Sequence, residues 1–419
     1  MLKALIDVTP VTPRPSGVGL YVINLVRALQ AIAQTSDTCE IETLLQPGLK
    51  DWLLRRAVIP PCGEAESIAG SPACHVWDLP VRMSAPMLQG AYHAKPLQQL
   101  LAQHLDQRFA SPNIIHGTNY AVCPSRKAKT IMNIYDLTFI RYPEFVDRVV
   151  KTYRAQVERC LSWTDLVITI SESSKRDIVE YLGVDASRVW VTPLASQYAP
   201  LPVLEYSGGI RASSSMKSSI GYDPTREILD DLAKTSSYDG QRPYLLFVST
   251  IEPRKNIGTL IEAFNRLKAN HRIDHALLLV GKKGWHYEPV FEAIAQSPWR
   301  DHIHHLNYLS QAQVQALYSQ ADAFVYPSFY EGFGLPILEA MTLGAPVVTA
   351  NVSSLPEVGG DAALYADPRC PDELAEQIWR LLDDPSLRQC LVERGRLQAA
   401  RFSWQRTAER TLEAYHQLL

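Results

Sequence analysis

The chain is expected to form two doubly wound α/β domains. Three observations predict this. Its 419 residues exceed what one hydrophobic core usually organises. Short apolar runs alternate with amphipathic stretches almost throughout, the pattern of parallel strands joined by crossover helices. The run FVYPSFYEGFGLPILEAMTLGAPVVTA, Phe324 to Ala350, is itself a full strand–loop–helix–strand unit.

Bulk composition narrows the function classes. Residues are 46% hydrophobic and 20% charged, which suits a soluble α/β protein. A formal charge of −3 argues against a general nucleic-acid binder. The start, MLKALIDVTP, meets Asp7 too early for the apolar core of a signal peptide. No apolar run approaches the roughly 18 residues needed to span a bilayer. The seven cysteines, Cys39, Cys62, Cys74, Cys123, Cys160, Cys370 and Cys390, are scattered and never form a C-x-x-C pair. That spacing predicts free thiols in a reducing cytoplasm, without a zinc site or a disulfide framework.

The first domain is expected over residues 1–200. Leu2–Ile6 reads as a strand, Thr9–Ser16 as a proline-rich loop, and Gly17-Val18-Gly19 as its glycine-bearing end. Tyr21–Leu29 has helical spacing, with Val22, Leu25, Val26 and Leu29 on one face. A dinucleotide fingerprint would need a third glycine where Val22 stands, so the oxidoreductase reading is weak. A loop over a phosphate or an acceptor stays open. Ile41–Leu45 reads as a strand and Pro96–Phe109 as a helix. Asn113–His116 ends a strand, and His116 either is satisfied inside the protein or faces a ligand. Thr130–Tyr135 is a strand followed by Asp136, at a strand end where ligands of open sheets collect. Asp136 reads equally as a helix N-cap. Arg141–Trp163 carries Arg148, Lys151, Arg154 and Arg159 at helical spacing. This is a solvated face, or a peripheral contact with an anionic membrane or lipid phosphate. Leu166–Ile170 is a strand, Ser171–Ser174 caps a helix to Leu182, and Val189–Val191 is the next strand.

Residues 201–240 change character. YSGGIRASSSMKSSIGYDP is rich in Ser and Gly, predicting a flexible linker insertion with one short helix near Asp223–Lys234. Shortening Ser207–Ser219 is expected to cost little stability. The second domain is expected over 241–402. Tyr244–Ser249 is a strand, and Arg254 and Lys255 sit between its end and the helix Ile257–Asn270. Two cations at a helix start suit a pyrophosphate. Ala276–Val280 is a strand followed by a loop from Gly281 to Trp285. Ile303–Leu306 is another, followed by Asn307–Ser310 and the helix Gln311–Ser319. In the central unit a strand ends at Tyr326 and a loop runs from Pro327 to Gly334. Pro336 stands in the first helical turn, where its missing N–H costs nothing. Gly344 ends the helix and Pro346–Ala350 is a strand. Glu331 in the loop and Glu339 on the helix are separated by seven residues. Gly332 and Gly334 permit close backbone approach, and the helix start favours an anion. A phosphate cradle with two hydroxyl acceptors suits a sugar nucleotide. Asp372–Asp383 and Ser386–Ala400 are amphipathic helices, and FSWQRTAERTLEAYHQLL closes the chain.

The run EGFGLPILE, Glu331 to Glu339, within a longer match from Ala321 to Pro368, resembles the Glu-x7-Glu signature of the retaining family-4 glycosyltransferases. The resemblance covers most of the second domain and strips of the first. It implies the GT-B fold: two Rossmann-like domains facing a cleft, the first for the acceptor and the second for the donor. It implies that Arg254 and Lys255 clamp the diphosphate, that Glu331 binds donor-sugar hydroxyls, and that Glu339 accepts from the ribose. Gly332, Phe333, Gly334 and Leu335 would lie against the donor, as would Gly281. Leu309 would mark the backbone that holds the base. Gly17 and Gly19 would face the donor phosphates. Asp136 is carried as a catalytic candidate. The family often has His where Tyr135 stands, and a phenol can hydrogen-bond a sugar but cannot serve as a near-neutral base. Relatives cross 201–240 in fewer residues, and their last helix packs back towards the first domain, here residues 403–419.

The implied reaction is retaining, metal-independent glycosyl transfer from a nucleoside-diphosphate sugar to a saccharide or lipid-linked acceptor. TIEPRKN and the central unit look most like mannosyltransferases of surface-polysaccharide assembly, favouring GDP-mannose over a UDP-sugar. No cofactor or metal is expected. The rivals are a sugar-nucleotide epimerase or hydrolase of the same fold, and an inactive binding protein. Because the charged candidates lie on loops and a helix face, their alanine variants are expected to fold.

Overall fold

The structure is a computed structural model that describes residues 1–12, 16–35, 38–46, 74–76, 102–103, 107, 112–147, 150–200, 224–238, 240 and 242–419. The chain divides into two compact units, Met1–Leu194 with Ser403–Leu419, and Ala195–Phe402. The expected helix Pro96–Phe109, the residue Arg148 and the segment Ser207–Ser219 lie largely or wholly outside the described residues.

The first unit is built on β1 (Leu2–Asp7), α1 (Gly17–Thr35), β2 (Cys39–Leu45), β3 (Cys74–Val76), β4 (Ile114–Gly117) and β5 (Lys129–Asn133). It continues with α2 (Thr138–Arg141), α3 (Tyr153–Leu161), β6 (Leu166–Thr169), α4 (Glu172–Leu182) and β7 (Val189–Val191). The seven strands run parallel in the order β3-β2-β1-β4-β5-β6-β7. Strands buried on both faces are mostly apolar, and Ile114–Gly117 and Leu166–Thr169 are fully buried runs whose polar members, His116 and Thr169, are buried with them. Helix α4 has both ends specified locally: Ser171 Oγ accepts from Ser174 N at 3.0 Å, and Gly183 takes φ +65° after it.

Two expectations change here. Gly17 and Gly19 lie in the first turn of α1, not in a loop before it; the helix starts four residues early because Ser16 Oγ accepts, at 3.5 Å, from Gly19 N. The basic stretch Arg141–Trp163 is not one helix. It breaks into α2, single turns at Pro143–Phe145 and Val150–Thr152, and α3, since Pro143 cannot continue a helical hydrogen-bond ladder. Its charges are partly matched, Arg141 by buried Asp177 at 3.0 Å and Arg154 by Glu158 at 2.8 Å. No described helix is long and apolar enough to cross a membrane.

The second unit opens with α5 (Pro224–Thr235), β8 (Tyr244–Val248), α6 (Ile257–His271), β9 (Ala276–Val280) and α7 (Glu288–Gln296). It goes on through β10 (Ile303–His305), α8 (Gln311–Gln320), β11 (Ala323–Tyr326), α9 (Leu335–Thr342), β12 (Val347–Ala350), α10 (Leu355–Gly359), β13 (Ala363–Ala366), α11 (Pro371–Asp383) and α12 (Pro385–Ala399). Six parallel strands take the order β10-β9-β8-β11-β12-β13. The order reverses between β8 and β11, where Leu246 pairs with Phe324. In open α/β sheets the crevice at such a reversal, outside the carboxyl ends of the strands, is where ligands bind. The described part of the expected linker is not loose. Helix α5 packs on α8, and Leu232 and Tyr238 are buried, Tyr238 edge-on to Tyr244 at 5.8 Å. The chain ends in α13 (Trp404–Gln417), capped by Ser403 and packed on α1 within the first unit.

Gly281 has a structural duty. Its φ is +141°, and a Cβ there would lie 1.9 Å from the Ser249 carbonyl oxygen. Its N–H donates to Asn307 O at 2.8 Å, and His305 Nε2 lies 2.8 Å from its carbonyl. Its backbone polar groups are therefore engaged inside the unit, which argues against a direct donor contact. Gly281→Ala is expected to destabilise the protein by about 3 kcal/mol or more, read by urea denaturation. Gly17→Ala, with nothing within 4 Å of the added carbon, should change stability by less than about 0.5 kcal/mol.

Candidate functional site

The strongest constellation lies at the β8/β11 reversal. After β8 the chain forms one tight turn, Pro253–Lys255, and Asn256 reverses it with φ +57°. Asn256 Nδ2 donates to Pro327 O at 3.0 Å and to Pro368 O at 2.6 Å. Phe329 N donates to Arg254 O at 2.9 Å. These bonds lace the loop after β8 to the loop after β11, so Arg254, Lys255 and Glu331 meet although more than 70 residues separate them.

The sequence presents two cations and a carboxylate as separate groups; the structure joins them. Lys255 Nζ donates to Glu331 Oε1 at 2.6 Å and to Tyr326 Oη at 2.7 Å, while Tyr326 Oη donates to the same Oε1 at 2.9 Å. Arg254 Nη1 donates to Glu331 Oε2 at 2.7 Å and to Tyr330 O at 2.8 Å; its Nη2 donates to Glu252 Oε1 at 3.0 Å. Glu252, Lys255 and Glu331 are all buried. Burial works to raise the Glu331 pKa, but Arg254 and then Lys255 overcome it and bring it down to about 2. Burial and then Arg254 oppose the charge on Lys255, and Glu331, Tyr326 and Glu252 together outweigh them, so its pKa is raised. Glu331 and Lys255 are thus both charged near neutral pH, and Arg254 bridges Glu331 and Glu252.

The loop that carries Glu331 is held from behind. Glu331 N donates to Ser353 Oγ at 3.0 Å, and buried Ser354 Oγ lies 2.8 and 2.7 Å from the carbonyls of Glu331 and Phe333. Phe333 is buried, edge-on to Phe402 at 5.7 Å. Gly332 is buried beside it, and Gly334 takes φ +113° to turn the chain into α9. Leu335 and Pro336 form the first turn of α9, where amide groups lack helical partners and favour an anion. Glu339 lies one turn further on, partly buried, and its Oε1 accepts from Gln197 Nε2 at 2.9 Å. Burial pushes its pKa up to about 7, with Gln197 and Tyr318 acting in the opposite direction. Leu309 is partly buried in the turn after β10, next to Tyr308, which is 79% exposed.

In the first unit the side chains of His116 and Tyr135 are engaged inside the fold. His116 is fully buried; its Nε2 lies 2.6 Å from Asn133 Oδ1 and its Nδ1 2.7 Å from Tyr415 Oη. Since Asn133 Oδ1 can only accept, Nε2 carries the proton and Nδ1 accepts from the phenol. Burial lowers the His116 pKa to about 4, so the ring stays neutral. Tyr135 does not offer its hydroxyl to a sugar: it is buried, edge-on to Tyr21 and Tyr120, and donates to the Thr118 carbonyl. Asp136 Oδ1 accepts from Thr138 N at 2.9 Å, a turn bond just before Leu137, the N-cap of α2, and both readings of Asp136 are compatible with it. Among the described residues no group of three or more His, Cys, Asp or Glu could hold a metal ion.

Sequence reading missed Tyr326, Glu252, Ser354 and Gln197. A tyrosine closing the apolar strand AFVY, and a glutamate in TIEPRKN, are polar groups at strand ends, which was the available signal. Nothing local marked Gln197.

The family described as glycosyl transferases group 1 matches residues 230–398. Over 428 residues the chain is 32% identical to O-antigen chain mannosyltransferase B of Escherichia coli, covering 99% of each. It is 29% identical over 259 residues to the serotype-specific mannosyltransferase WbdA of Escherichia coli, covering 61% of this chain and 29% of that one. Among solved structures, sucrose-phosphate synthase from Thermosynechococcus elongatus shares the fold with a TM-score of 0.69 at 18% identity, covering 100% of this chain and 99% of that one. The chain belongs to the group 1 glycosyl transferases, and is a mannosyltransferase-like glycosyltransferase of the GT-B fold.

Proposed function

We propose that the protein is a retaining mannosyltransferase of surface-polysaccharide assembly, moving mannose from GDP-mannose to a saccharide or lipid-linked acceptor without a divalent metal. The observation that carries this reading is the Arg254–Lys255–Glu331 cluster at the strand reversal beside the α9 start. A nucleoside diphosphate leaves readily once its growing charge is neutralised. Arg254, Lys255 and the first-turn amides of α9 would supply that neutralisation. Glu331 Oε2 accepts one hydrogen bond where Oε1 accepts two, so Oε2 keeps acceptor capacity for a hydroxyl of the transferring sugar. Glu339 would accept from the ribose. The mannosyl assignment draws support from the relative aligned over 99% of both chains, whose name places it in O-antigen synthesis.

The test is thermal unfolding with GDP, UDP or ADP at equal concentration and no added metal. A ligand at 100 times its Kd stabilises by about 2.7 kcal/mol, so GDP is expected to raise Tm by several degrees and the others by less. A larger shift with UDP would remove the GDP-mannose assignment. A shift that appears only with Mg or Mn would remove the metal-free mechanism. Turnover of GDP-mannose should then give a product whose anomeric configuration, read by NMR coupling, matches the donor's.

A further inference from the structure

We propose that Gln197 is a positioning residue that holds the Glu339 carboxylate for the ribose hydroxyls of the donor nucleotide. The inference rests on the reading of Glu339 as the ribose acceptor and adds a residue from a remote part of the chain. Gln197 is the third residue of the second unit, just after the chain passes from one unit to the other. Its Nε2 donates to Glu339 Oε1 at 2.9 Å, a bond between residues 142 apart in sequence.

The amide is itself held in place. Gln311 Nε2, at the start of α8, lies 3.5 Å from Gln197 Oε1, which turns the Gln197 amide so that its nitrogen faces the carboxylate. The next residue, Tyr198, is buried and edge-on to Tyr318 of α8 at 6.4 Å. Tyr318 is fully buried and packs in turn on Phe324 of β11 at 5.1 Å. The residue after Gln197 is thus packed on the framework that carries Glu339. A glutamate on an open helix face would sample several rotamers; this one has Oε1 held by Gln197, and the Tyr318 phenol also acts on the carboxylate. Burial also weakens the charge on Glu339, and the Gln197 donor favours the ionised form that accepts two hydroxyls.

The experiment compares GDP with 2′,3′-dideoxy-GDP by calorimetry, on wild type and on Gln197→Ala, Gln197→Glu and Glu339→Ala. The pair isolates the ribose hydroxyls. Wild type should prefer GDP by about tenfold or more, as expected for hydrogen bonds to a charged acceptor. Glu339→Ala should abolish that preference. Gln197→Ala should reduce it severalfold while binding of the dideoxy ligand stays near wild type. Gln197→Glu, isosteric and sparing the packing, should remove it by facing one carboxylate with another. In kinetics, Gln197→Ala should raise KM for GDP-mannose with kcat nearly unchanged. If Glu339→Ala loses the preference and both Gln197 variants keep it, the Gln197 assignment is overturned alone. An equal loss for both ligands also overturns it, as the mark of a merely structural residue. No preference in wild type overturns the ribose reading and this inference with it.

Discussion

Glu331→Ala is expected to destabilise the protein by about 3–5 kcal/mol, the usual cost of removing one partner from a buried ion pair. This revises the expectation that alanine variants of the charged candidates fold alike. Glu331 is buried against Lys255, itself 6% exposed, and against Arg254. Without it, two cations are left facing one carboxylate, Glu252, and Tyr326 loses its acceptor. The same interaction has a pH signature. The folded pKa of Glu331 is about 2 against an ordinary 4.5, so between those values the unfolded chain binds more protons. The stabilisation is complete above about pH 4.5 and lost as pH falls through 2, on the order of 3 kcal/mol. Urea unfolding of wild type from pH 6 down to 2.5 should show this loss. Glu331→Gln, which keeps the shape, should show a lower and flatter profile. A variant as stable as wild type at pH 7 would mean that the cluster does not hold the loops together.

The central unit was legible because its information is local. Tyr326, Gly334, Pro336, Gly344 and Ala350 mark turns and ends within a short window, and the strand and helix periods differ clearly. Helix α4 was legible for the same reason, with Ser171 at one end and Gly183 at the other. The pairing of Arg254 with Glu331 was not legible, since it depends on β8 and β11 being neighbours, a fact of strand order. Likewise the Gln197–Glu339 bond spans the second unit from its first residues to α9. The role of Tyr135 stayed open because its neighbours in sequence do not show that Thr118, after another strand, takes its hydroxyl. The glycines of α1 were placed in a loop because Gly17 and Gly19 have low helix propensity. The fold class and the loops that carry the charged candidates were thus open to sequence reading, whereas the partners of each charge were not.

Lys255→Ala is expected to lower kcat about 100-fold or more, with a smaller change in donor KM. Charge on the leaving diphosphate grows as the glycosidic bond breaks, so a cation there does more for the transition state than for the bound donor. Losing one preorganised oxyanion donor typically costs 10²–10³ in kcat. Arg254→Ala should lower kcat comparably but carry a second cost. Arg254 is the ion-pair partner of buried Glu252 as well as of Glu331, so its loss leaves an uncompensated buried carboxylate, about 3 kcal/mol in stability. Arg254→Lys retains the charge but not the planar fork that reaches Glu331, Tyr330 O and Glu252 together. It should fold better than the alanine variant and still transfer slowly. Steady-state kinetics paired with a denaturation curve for each variant separates the effects. If Lys255→Ala raised KM and left kcat alone, Lys255 would bind the donor uniformly and the leaving-group role would be wrong. If kcat fell for Lys255→Ala in proportion to a loss of folded protein, the lysine would be a strut for Glu331 and not a participant in the transfer.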